Sequence, residues 1–322
     1  MERREEIVAQ ETKALTWAVV LGWNHAEDTV ECLRSVAASE GVAVKLLYVD
    51  NGSDPDQVAK VLKEVPQAAV VRYSRNVGVA RAFNGGFAYA LRRGAAFIWV
   101  VTNDAVVEKN CLGKLMAEAR HEPRSAMLVP KVNYYEHKDV VWSAGSRFRR
   151  FPPVIVMRKT TTPDDGRYDN RRKLEFTTLF AVLIRGQVLR EVGLLDPSYV
   201  YFYEDYDLSL RIRDAGHTIT FVPEAKSWHK VALVSRDHRS SPAFWSTYGR
   251  GEAIFRRRHQ RRWWLTGAVH LAYILARTVF EGKVTGVLNF WKGYREGCGA
   301  NLNQVPGWNT DTVDPVEVVR EG

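Results

Sequence analysis

The sequence predicts an α/β fold with a mostly parallel central sheet flanked by helices, followed by a helical C-terminal extension. Two observations support this prediction. The first half of the chain alternates short, almost continuously apolar runs with segments of helical periodicity, which is typical of parallel strands buried on both faces. The last part instead combines a basic run, two adjacent tryptophans and a longer apolar stretch, which indicates helices outside that sheet.

Four strands are predicted in the first half, and each is rich in β-branched and aromatic residues. They are residues 17–22, 45–50, 69–73 and 97–102. The helices predicted between them are residues 28–39, 55–62 and 78–92. Ligands of such sheets bind beyond the carboxyl ends of the strands, and polar or acidic residues follow all four strands. We therefore predict a binding site at this edge.

Further strands are predicted in the second half at residues 178–184 and 218–222. Before them lies an irregular segment, residues 147–172, which contains one Pro-Pro pair, one Thr-Pro pair and many Arg. This segment is predicted to be a long mobile loop. We place one large domain at residues 1–255, with halves at about 15–125 and 126–255, and the extension at residues 256–322.

Composition and charge indicate the cellular compartment of the protein and the kind of partner that it binds. The net charge is +9, and the segment from Arg250 to Ala300 holds ten Lys or Arg against three Glu, so an anionic partner is expected for it. The three cysteines lack disulfide or zinc-site spacing, which favours a reducing cytosol. The charged residues 1–6 precede no apolar core, so we do not expect a secretory signal.

The stretch Tyr203 to Gly216 reads YEDYDLSLRIRDAG and predicts a short helix with acidic residues in its first turn. Such residues suit the partial positive charge at a helix N-terminus, and Gly216 suits the helix end. Glu204 and Asp205 are therefore candidate catalytic carboxylates. A solvated acidic helix cap is the alternative interpretation.

Other candidates follow the strands. Asp50 and Asn51 form a turn by composition, and Asp104 ends the fourth strand. A carboxylate beside a diphosphate is a typical ligand of Mg²⁺ or Mn²⁺, and His229 is a second candidate ligand. No G-x-G-x-x-G fingerprint follows the first strand, which argues against a dinucleotide-dependent oxidoreductase.

The order of the motifs is more specific than any one of them. The series VVLGWN, YVDNGSD, RNVGVARAFNGG, VTNDA, FYEDYDLSLRIRDAGH and FVPEAKSWHK resembles family 2 glycosyltransferases with the GT-A fold, and most of all their rhamnosyltransferase-like branch. The resemblance extends over about residues 17–258. It implies transfer of a sugar from a nucleoside diphosphate with inversion at the anomeric carbon. We expect dTDP-L-rhamnose as donor first, and UDP-sugars next.

The resemblance also implies roles for individual residues. The donor-binding set is Asn24, Asp50, Asn51, Asn76, Gly78, Asn103 and Asp104, of which Asp50 is expected to contact the pyrimidine. Asp104, with His229, is expected to hold Mg²⁺ or Mn²⁺, although Thr102 stands where the family usually has Asp or Asn. Asp205 is the expected base, paired with Glu204. The acceptor-side residues are Trp142, Gly145 and Asp207.

The basic C-terminal segment predicts a contact with a membrane. Five Arg within seven residues precede Trp263 and Trp264, which is typical of an interfacial helix. We therefore expect a cytoplasmic protein peripheral to the inner face of the cell membrane, with a polyprenyl-diphosphate-linked saccharide acceptor in cell-wall or polysaccharide assembly. The alternative is a helical pair that packs on the catalytic domain or forms a homodimer. Arg250 and residues 256–258 are expected to contact phosphates or to form a solvated basic face.

Three rival functions remain to be separated. A transferase that uses a UDP-sugar on a soluble small-molecule or protein acceptor predicts that deletion after Arg262 leaves activity intact. A nucleic-acid-binding protein would need a recognisable basic and aromatic module, and none is present, so no nucleic-acid partner is expected. A non-catalytic homologue, suggested by Thr102, is opposed by Asp104 and Asp205.

Overall fold

The structure is a computed structural model that describes residues 15–151, 153–231, 241–280, 284–302 and 317–321. The charged N-terminal residues 1–6, on which the expectation about a signal peptide depends, lie outside the described residues.

The first half of the chain forms the parallel part of one sheet. Its strands are β1 (Thr16–Gly22), β2 (Val44–Asp50), β3 (Ala69–Arg72) and β4 (Phe97–Thr102). They pair in parallel in the spatial order β4–β1–β2–β3. Each strand begins and ends within one residue of its predicted bounds, because a continuous apolar run between polar turns leaves little freedom in where the strand starts and stops. The predicted fold class is confirmed.

Helices cover both faces of these strands: α1 (Ala26–Ala37), α2 (Pro55–Glu64), α3 (Val79–Arg92) and α4 (Cys111–His121). Alternate residues of each strand point into two separate apolar clusters, one on each side of the sheet. Trp17 lies in one cluster and Trp99 in the other, and neither is exposed. This double burial explains why the strands read as continuously apolar.

The second half extends the same sheet with mixed strand directions. Its strands in this sheet are β5 (Ala105–Val107), β6 (Ser125–Tyr134), β7 (Val141–Ser143), β10 (Arg172–Lys173), β11 (Val182–Arg185) and β12 (Thr218–His229), with β13 (Glu317–Arg320) on the far edge. Strands β8 (Ser146–Arg149) and β9 (Val154–Met157) form a separate two-stranded sheet. Strand β11 runs antiparallel between β4 and β6. Strand β12 is longer than predicted and brings His229 back to the end of β4.

The prediction that residues 147–172 form an irregular loop is wrong in part. Strands β8 and β9 pair as an antiparallel hairpin, and the following segment is held by Lys131, whose Nζ lies 2.7 Å from Asp164 Oδ2 and also pairs with Asp169. Arginines at alternate positions of β8 concealed the strand, because polar residues in a short run resemble loop composition.

Helices of the second half are α5 (Gly186–Val192), α6 (Glu204–Asp214), α7 (Pro242–His259), α8 (Trp263–Phe280) and α9 (Val284–Gly299). Helix α7 runs through the predicted domain boundary at residues 255 and 256, so no break in the chain separates the two regions there. Among the described residues, no helix combines the length and apolarity needed to cross a membrane.

The expectations for the basic run at residues 256–258 are wrong. Arg256 is 2% exposed, and its Nε donates to Glu252 Oε1 at 2.6 Å. Arg258 pairs with the buried Asp196 at 2.8 Å, and Arg257 donates to the carbonyl of Gly297 at 2.9 Å. These side chains therefore bind the helices to the domain, and they form neither a solvated face nor a free phosphate site.

Candidate active site

Two turns at the carboxyl ends of β2 and β3 are joined by side-chain amides. Asn51 Oδ1 accepts from the Val77 N–H at 2.9 Å, and Asn51 Nδ2 donates to Asn76 Oδ1 at 3.2 Å. Asn76 Oδ1 also accepts from the Gly78 N–H at 3.0 Å. The predicted donor residues Asn51, Asn76 and Gly78 thus form one hydrogen-bonded loop pair at the expected edge.

Asp50 lies beneath these turns rather than in the open edge. It is not exposed, and Oδ1 accepts from the Ser53 N–H at 3.0 Å while Oδ2 accepts from Arg72 Nε at 2.9 Å. The Tyr48 hydroxyl adds a third contact at 3.3 Å. In the structure Asp50 shapes the turn, and its contact with a pyrimidine stays a prediction.

Glycine is required where the two turns touch. Gly52 has φ +78°, and a Cβ added there would lie 2.3 Å from the carbonyl carbon of Arg75. Gly78 has φ +86°, and its Cβ would lie 2.9 Å from the carbonyl oxygen of Val200. Only glycine combines these φ values with so close an approach, so both positions fix the shape of the edge.

Replacement of Gly52 by Ala is expected to lower the free energy of unfolding by about 2 kcal/mol or more, because the left-handed backbone is strained and the two turns must separate. Gly94 is the matched control: its φ is +79° and no atom lies within 4 Å of an added Cβ, so Gly94→Ala is expected to cost only about 1 kcal/mol. Urea unfolding measures both. Equal losses would show that the contact between the turns is unimportant.

The carboxyl ends of β1 and β4 complete this edge. Asn24, with φ +55°, follows β1 and accepts from the Asp54 N–H through Oδ1 at 3.0 Å. Asn103 follows β4 and donates through Nδ2 to the Thr29 hydroxyl at 3.1 Å. Both predicted donor residues therefore brace loops at this edge, and a direct contact of either with the donor stays a prediction.

Asp104 and His229 meet where β12 returns to the end of β4. Asp104 Oδ2 and His229 Nε2 lie 2.8 Å apart, although 125 residues separate the two in the sequence. The Asp104 side chain is 43% exposed, whereas that of His229 is 12% exposed. Asp104 Oδ1 and His229 Nδ1 are buried and have no hydrogen-bond partner among the described residues.

Trp142 contacts the candidate metal site, and its predicted role on the acceptor side stays a prediction. Its ring contacts the His229 ring with centroids 4.3 Å apart, and Phe180 contacts the same imidazole at 4.5 Å. The two aromatic rings fix the orientation of His229. Gly145, with φ +80°, lies near the start of the β8–β9 hairpin, where an added Cβ would be 2.4 Å from Leu174 Cδ1.

The side chains of Asp104 and His229 are suited to binding a divalent cation. A carboxylate with an oxygen left unpaired, next to an imidazole nitrogen, is a donor set that Mn²⁺ accepts. Within the described residues no group of three or more His, Cys, Asp or Glu could hold a metal. The protein thus offers two ligands, and the others would have to come from a substrate or water, as is usual where a cation binds phosphates.

Helix α6 begins with a strained backbone. Phe202 and Tyr203 have φ values of +73° and +72°, a conformation that is unfavourable for bulky L-residues by about 1–3 kcal/mol each. The strain turns the chain sharply, so that Glu204 and Asp205 begin the helix next to each other. Such strain persists only where surrounding contacts hold it, and it is concentrated at functional sites.

The two carboxylates have raised pKa values. Burial raises the pKa of Asp205 to about 7. Burial, and then the charge of Asp205, raise the pKa of Glu204 well above its usual value. Glu204 is 7% exposed, and its buried Oε2 has no hydrogen-bond partner among the described residues. Near pH 7 Asp205 can therefore accept a proton, and burial disfavours the charged form of Glu204.

Helix α7 holds the strained turn in place. The Tyr203 hydroxyl donates to Glu252 Oε2 at 3.3 Å, and an added Cβ on Gly251 would lie 2.8 Å from the Phe202 carbonyl oxygen. The buried Glu252 also contacts His270 Nδ1 of α8 at 2.6 Å. The sequence did not indicate this network, although the spacing of Glu252 and Arg256 by four residues is a helical ion-pair signal.

Asp207 lies inside this supporting layer. It is 2% exposed, its Oδ2 accepts from Arg211 Nε at 2.8 Å, and its Oδ1 contacts His259 Nε2 of α7 at 2.7 Å. A direct contact with an acceptor stays a prediction, and in the structure Asp207 ties α6 to α7.

The edge formed by the Asn51 and Asn76 turns and the segment that leads into helix α6 are adjacent. The Val79 N–H, just after Gly78, donates to the Val200 carbonyl at 3.1 Å. The next residue, Tyr201, is 50% exposed. Loss of solvation at its hydroxyl, and then the charges of Glu204, Asp104 and Asp205, raise the pKa of Tyr201 to about 12, so its phenol lies within electrostatic range of all three carboxylates. The sequence did not single out Tyr201, because an exposed aromatic in a loop carries no periodic signal.

Comparisons with known proteins are consistent with this geometry. The sequence model "Glycosyl transferase family 2" matches residues 18–186, which are 169 of the 322 residues. No curated protein matches significantly.

Among solved structures, one of GalNAc-T7 with UDP, GalNAc and Mn²⁺ has a TM-score of 0.60 at 17% identity and covers 75% of this chain and 48% of its own. A structure of S. aureus TarS has a TM-score of 0.51 at 15% identity and covers 83% of this chain and 44% of its own. The chain thus spans about half the length of these proteins, and the likeness concerns the fold.

Proposed function

The chain belongs to glycosyl transferase family 2, and we propose that it transfers a sugar, with inversion, from a nucleoside diphosphate to a saccharide hydroxyl. The observation that supports this most is that Asp104, which pairs with His229, and the two carboxylates after the strained turn all lie within electrostatic range of Tyr201. The order of the motifs supports L-rhamnose from dTDP-L-rhamnose as the first donor to test, and UDP-sugars as the second.

In this proposal Asp205 is the general base. A sugar hydroxyl is a weak nucleophile, so a carboxylate in hydrogen-bond reach must take its proton as the bond to the anomeric carbon forms. A pKa of about 7 suits this role, because a base works best when its pKa is near the working pH. Burial favours the neutral form of the adjacent Glu204, and in that form its carboxyl can donate a hydrogen bond to a substrate oxygen.

Asp104 and His229 would hold Mg²⁺ or Mn²⁺ together with the donor diphosphate. The GalNAc-T7 structure contains UDP and Mn²⁺, which supports the same chemistry for this chain. Bound there, the cation would stabilise the negative charge that develops on the leaving nucleoside diphosphate. The joined turns of Asn51, Asn76 and Gly78 would then position the nucleoside, since positioning accounts for much of the acceleration in such transfers.

We also propose that the acceptor is presented at a membrane surface. The exposed faces of α8 and α9 carry large apolar residues, and Arg261 and Arg262 are exposed beside them. The exposed apolar side chains are Trp264, Leu265, Leu275, Leu288 and Trp291. Tryptophans with flanking arginines are typical of an interfacial contact. A homodimer through the same faces is the alternative.

Calorimetric titration with dTDP, UDP and GDP, each with and without Mn²⁺, tests the donor site. We expect a pyrimidine diphosphate to bind only with Mn²⁺, and Asp104→Asn to weaken that binding at least tenfold, since a charged ligand contact is worth about 1.5 kcal/mol or more. Asp139→Asn, an exposed position, is the control with the same chemical change. Absence of binding by all three nucleotides would refute the proposed function.

A further inference from the structure

A short strand near the carboxyl end of the chain covers the β3 edge of the sheet. Strand β13 pairs antiparallel with β3, and Glu317 lies opposite Arg72 in the register. The side chains of Val318 and Val319 are 44% and 38% exposed. Burial of apolar surface therefore contributes little to the docking of this strand, which is held by its backbone and by the charged residues at its end.

Arg320 binds the carboxyl end of helix α2. It donates through Nη2 to the Leu62 carbonyl at 2.7 Å and through Nη1 to the Val65 carbonyl at 3.1 Å. The last carbonyls of a helix have no partner within the helix and carry partial negative charge, so a guanidinium stabilises them. At least 255 residues separate Arg320 from these two partners in the sequence. The C-terminal strand is thus fixed to α2 as well as to β3.

Glu321 binds the carboxyl end of helix α3. Its Oε2 accepts from the Tyr89 hydroxyl at 3.0 Å and from Arg93 Nη2 at 2.6 Å. The Arg93 guanidinium also lies over the Tyr89 ring, 3.6 Å from the ring centroid, so the three side chains form one cluster. Exposed ion pairs contribute little free energy each. The C-terminal strand therefore has specific partners but is easy to detach.

The three elements that this strand joins carry two turns of the candidate site, residues 50–54 and 74–78, which we call the donor turns. Helix α2 begins with Pro55, directly after the first donor turn, and α3 begins with Val79, directly after the second. Arg72, the last residue of β3, donates to Asp50 Oδ2 at 2.9 Å and to the Ser53 carbonyl at 2.6 Å. The C-terminal strand thus holds the far ends of two helices whose near ends adjoin the donor turns, and it pairs with the strand between them.

We propose that residues 317–321 are a C-terminal clamp that positions the two donor turns and thereby sets the affinity for the nucleoside diphosphate. This inference rests on the proposed function, because it concerns the donor site of the same transferase. Docked, the clamp keeps α2, β3 and α3 in the arrangement at which Asn51, Asn76 and Gly78 are joined. Undocked, it leaves β3 as the edge of the sheet and allows the donor turns to separate. The charged residues of the clamp are therefore positioning residues that act through the turns.

Calorimetric titration of the full chain with dTDP and UDP in Mn²⁺ tests the clamp. Arg320→Gln is expected to raise the Kd of the nucleotide that binds roughly threefold to tenfold, a range that contacts outside a site can modulate. Arg320→Lys should raise it less, because an ammonium group can still donate to the helix end. In steady-state kinetics the donor KM should rise by a similar factor, while kcat at saturating donor stays within about twofold.

Arg124→Gln is the matched control. Arg124 directly precedes β6 and is exposed, so the same charge is lost at a position outside the clamp. Nucleotide binding and the donor KM should both be unchanged in this variant.

Hydrogen exchange at the second donor turn provides a measurement that needs no nucleotide. The Val77 and Gly78 N–H groups donate to the side chains of Asn51 and Asn76. We expect Arg320→Gln to speed exchange at residues 74–79 roughly threefold or more, because local opening of the turn becomes easier, and to leave exchange in β6 unchanged. An equal rise in β6 would mean that these residues only stabilise the whole fold, and it would overturn the proposal.

The binding data separate failure of the clamp from failure of the transferase. If the unaltered protein and Arg320→Gln bound the nucleotide equally well, the clamp would be refuted and the proposed function would be untouched. Equal losses in Arg320→Gln and Arg124→Gln would refute it as well, since net charge rather than position would then govern binding. If the unaltered protein bound none of the nucleotides, the transferase would be refuted, and with it a role of the clamp in donor affinity.

Discussion

Asp205→Asn is expected to lower kcat by roughly 10²–10⁴-fold, the usual contribution of a general base, while nucleotide binding with Mn²⁺ stays within about twofold. The amide keeps the size of the side chain, and Oδ1 can still accept from the Tyr206 N–H as in the structure, where the distance is 2.7 Å. Only the ability to take a proton is lost. Steady-state kinetics with donor and acceptor, combined with calorimetry, separate the two effects.

The same substitution is expected to stabilise the fold at pH 8. The pKa of Asp205 is raised from 3.8 to about 7, so between these values the folded chain binds a proton that the unfolded chain has released. Stability therefore falls as the pH rises through this window. Asn carries no charge to bury, and Asp205→Asn should gain about 4 kcal/mol at pH 8 and almost nothing at pH 4.

Activity should follow the opposite pH trend. Because the base must be ionised, kcat/KM is expected to rise with pH around about 7 and then level off. Asp214→Asn is the control for both measurements: Asp214 ends the same helix and is exposed, so it should leave activity and stability unchanged. If Asp205→Asn turned over at a normal rate, another group would have to be the base.

The first half of the fold could be predicted because each strand is buried on both faces. A single pattern, a short apolar run between polar turns, then determines strand bounds, parallel pairing and the edge of the sheet that carries Asn51, Asn76 and Asp104. The same pattern does not indicate which polar side chains at that edge already form hydrogen bonds or ion pairs with other residues of the protein. Arg72 of β3 pairs with Asp50 of the neighbouring strand β2. Which side chains pair across two strands depends on the register of the strands rather than on composition.

The catalytic turn could be predicted only in part. Acidic residues in the first turn of α6 were visible in the sequence, whereas the left-handed conformation of Phe202 and Tyr203 was not, because aromatic residues disfavour it. The turn is imposed by tertiary contacts from α7, more than 40 residues later in the chain. Local propensity does not report such contacts.

Glu252→Gln is expected to lower the free energy of unfolding by about 3 kcal/mol or more, because it leaves the buried Arg256 without its counter-charge and weakens the contact with the buried His270. Burial opposes ionisation of Glu252, but His270 and Arg256 outweigh it and lower the pKa of the carboxyl. In the variant the Tyr203 hydroxyl still has a hydrogen-bond acceptor at position 252, but the contacts of Arg256 and His270 that hold this side chain in place are weakened. We therefore also expect kcat to fall about tenfold or more at temperatures where the protein is folded, while the donor KM changes little.

Glu296→Gln is the matched control, since Glu296 is exposed on α9 and should change neither unfolding nor kcat. Guanidinium unfolding and steady-state kinetics at low temperature measure the two effects separately. A loss of stability without any change in kcat would mean that the network supports the fold but does not position Asp205. Unchanged stability would contradict the ion-pair network itself.

Because of this network, deletion of the C-terminal helices cannot by itself test whether they contact a membrane. Deletion after Arg262 was expected to spare activity if the acceptor is soluble, but it removes His270, which contacts Glu252 at 2.6 Å. Such a deletion should therefore reduce activity whatever the acceptor is, because it loosens the support of Tyr203 directly before Glu204 and Asp205. Substitution of exposed residues on α8, Trp264→Gln and Leu275→Gln, leaves that network intact. These variants separate membrane contact from support of the catalytic turn, which the deletion cannot do.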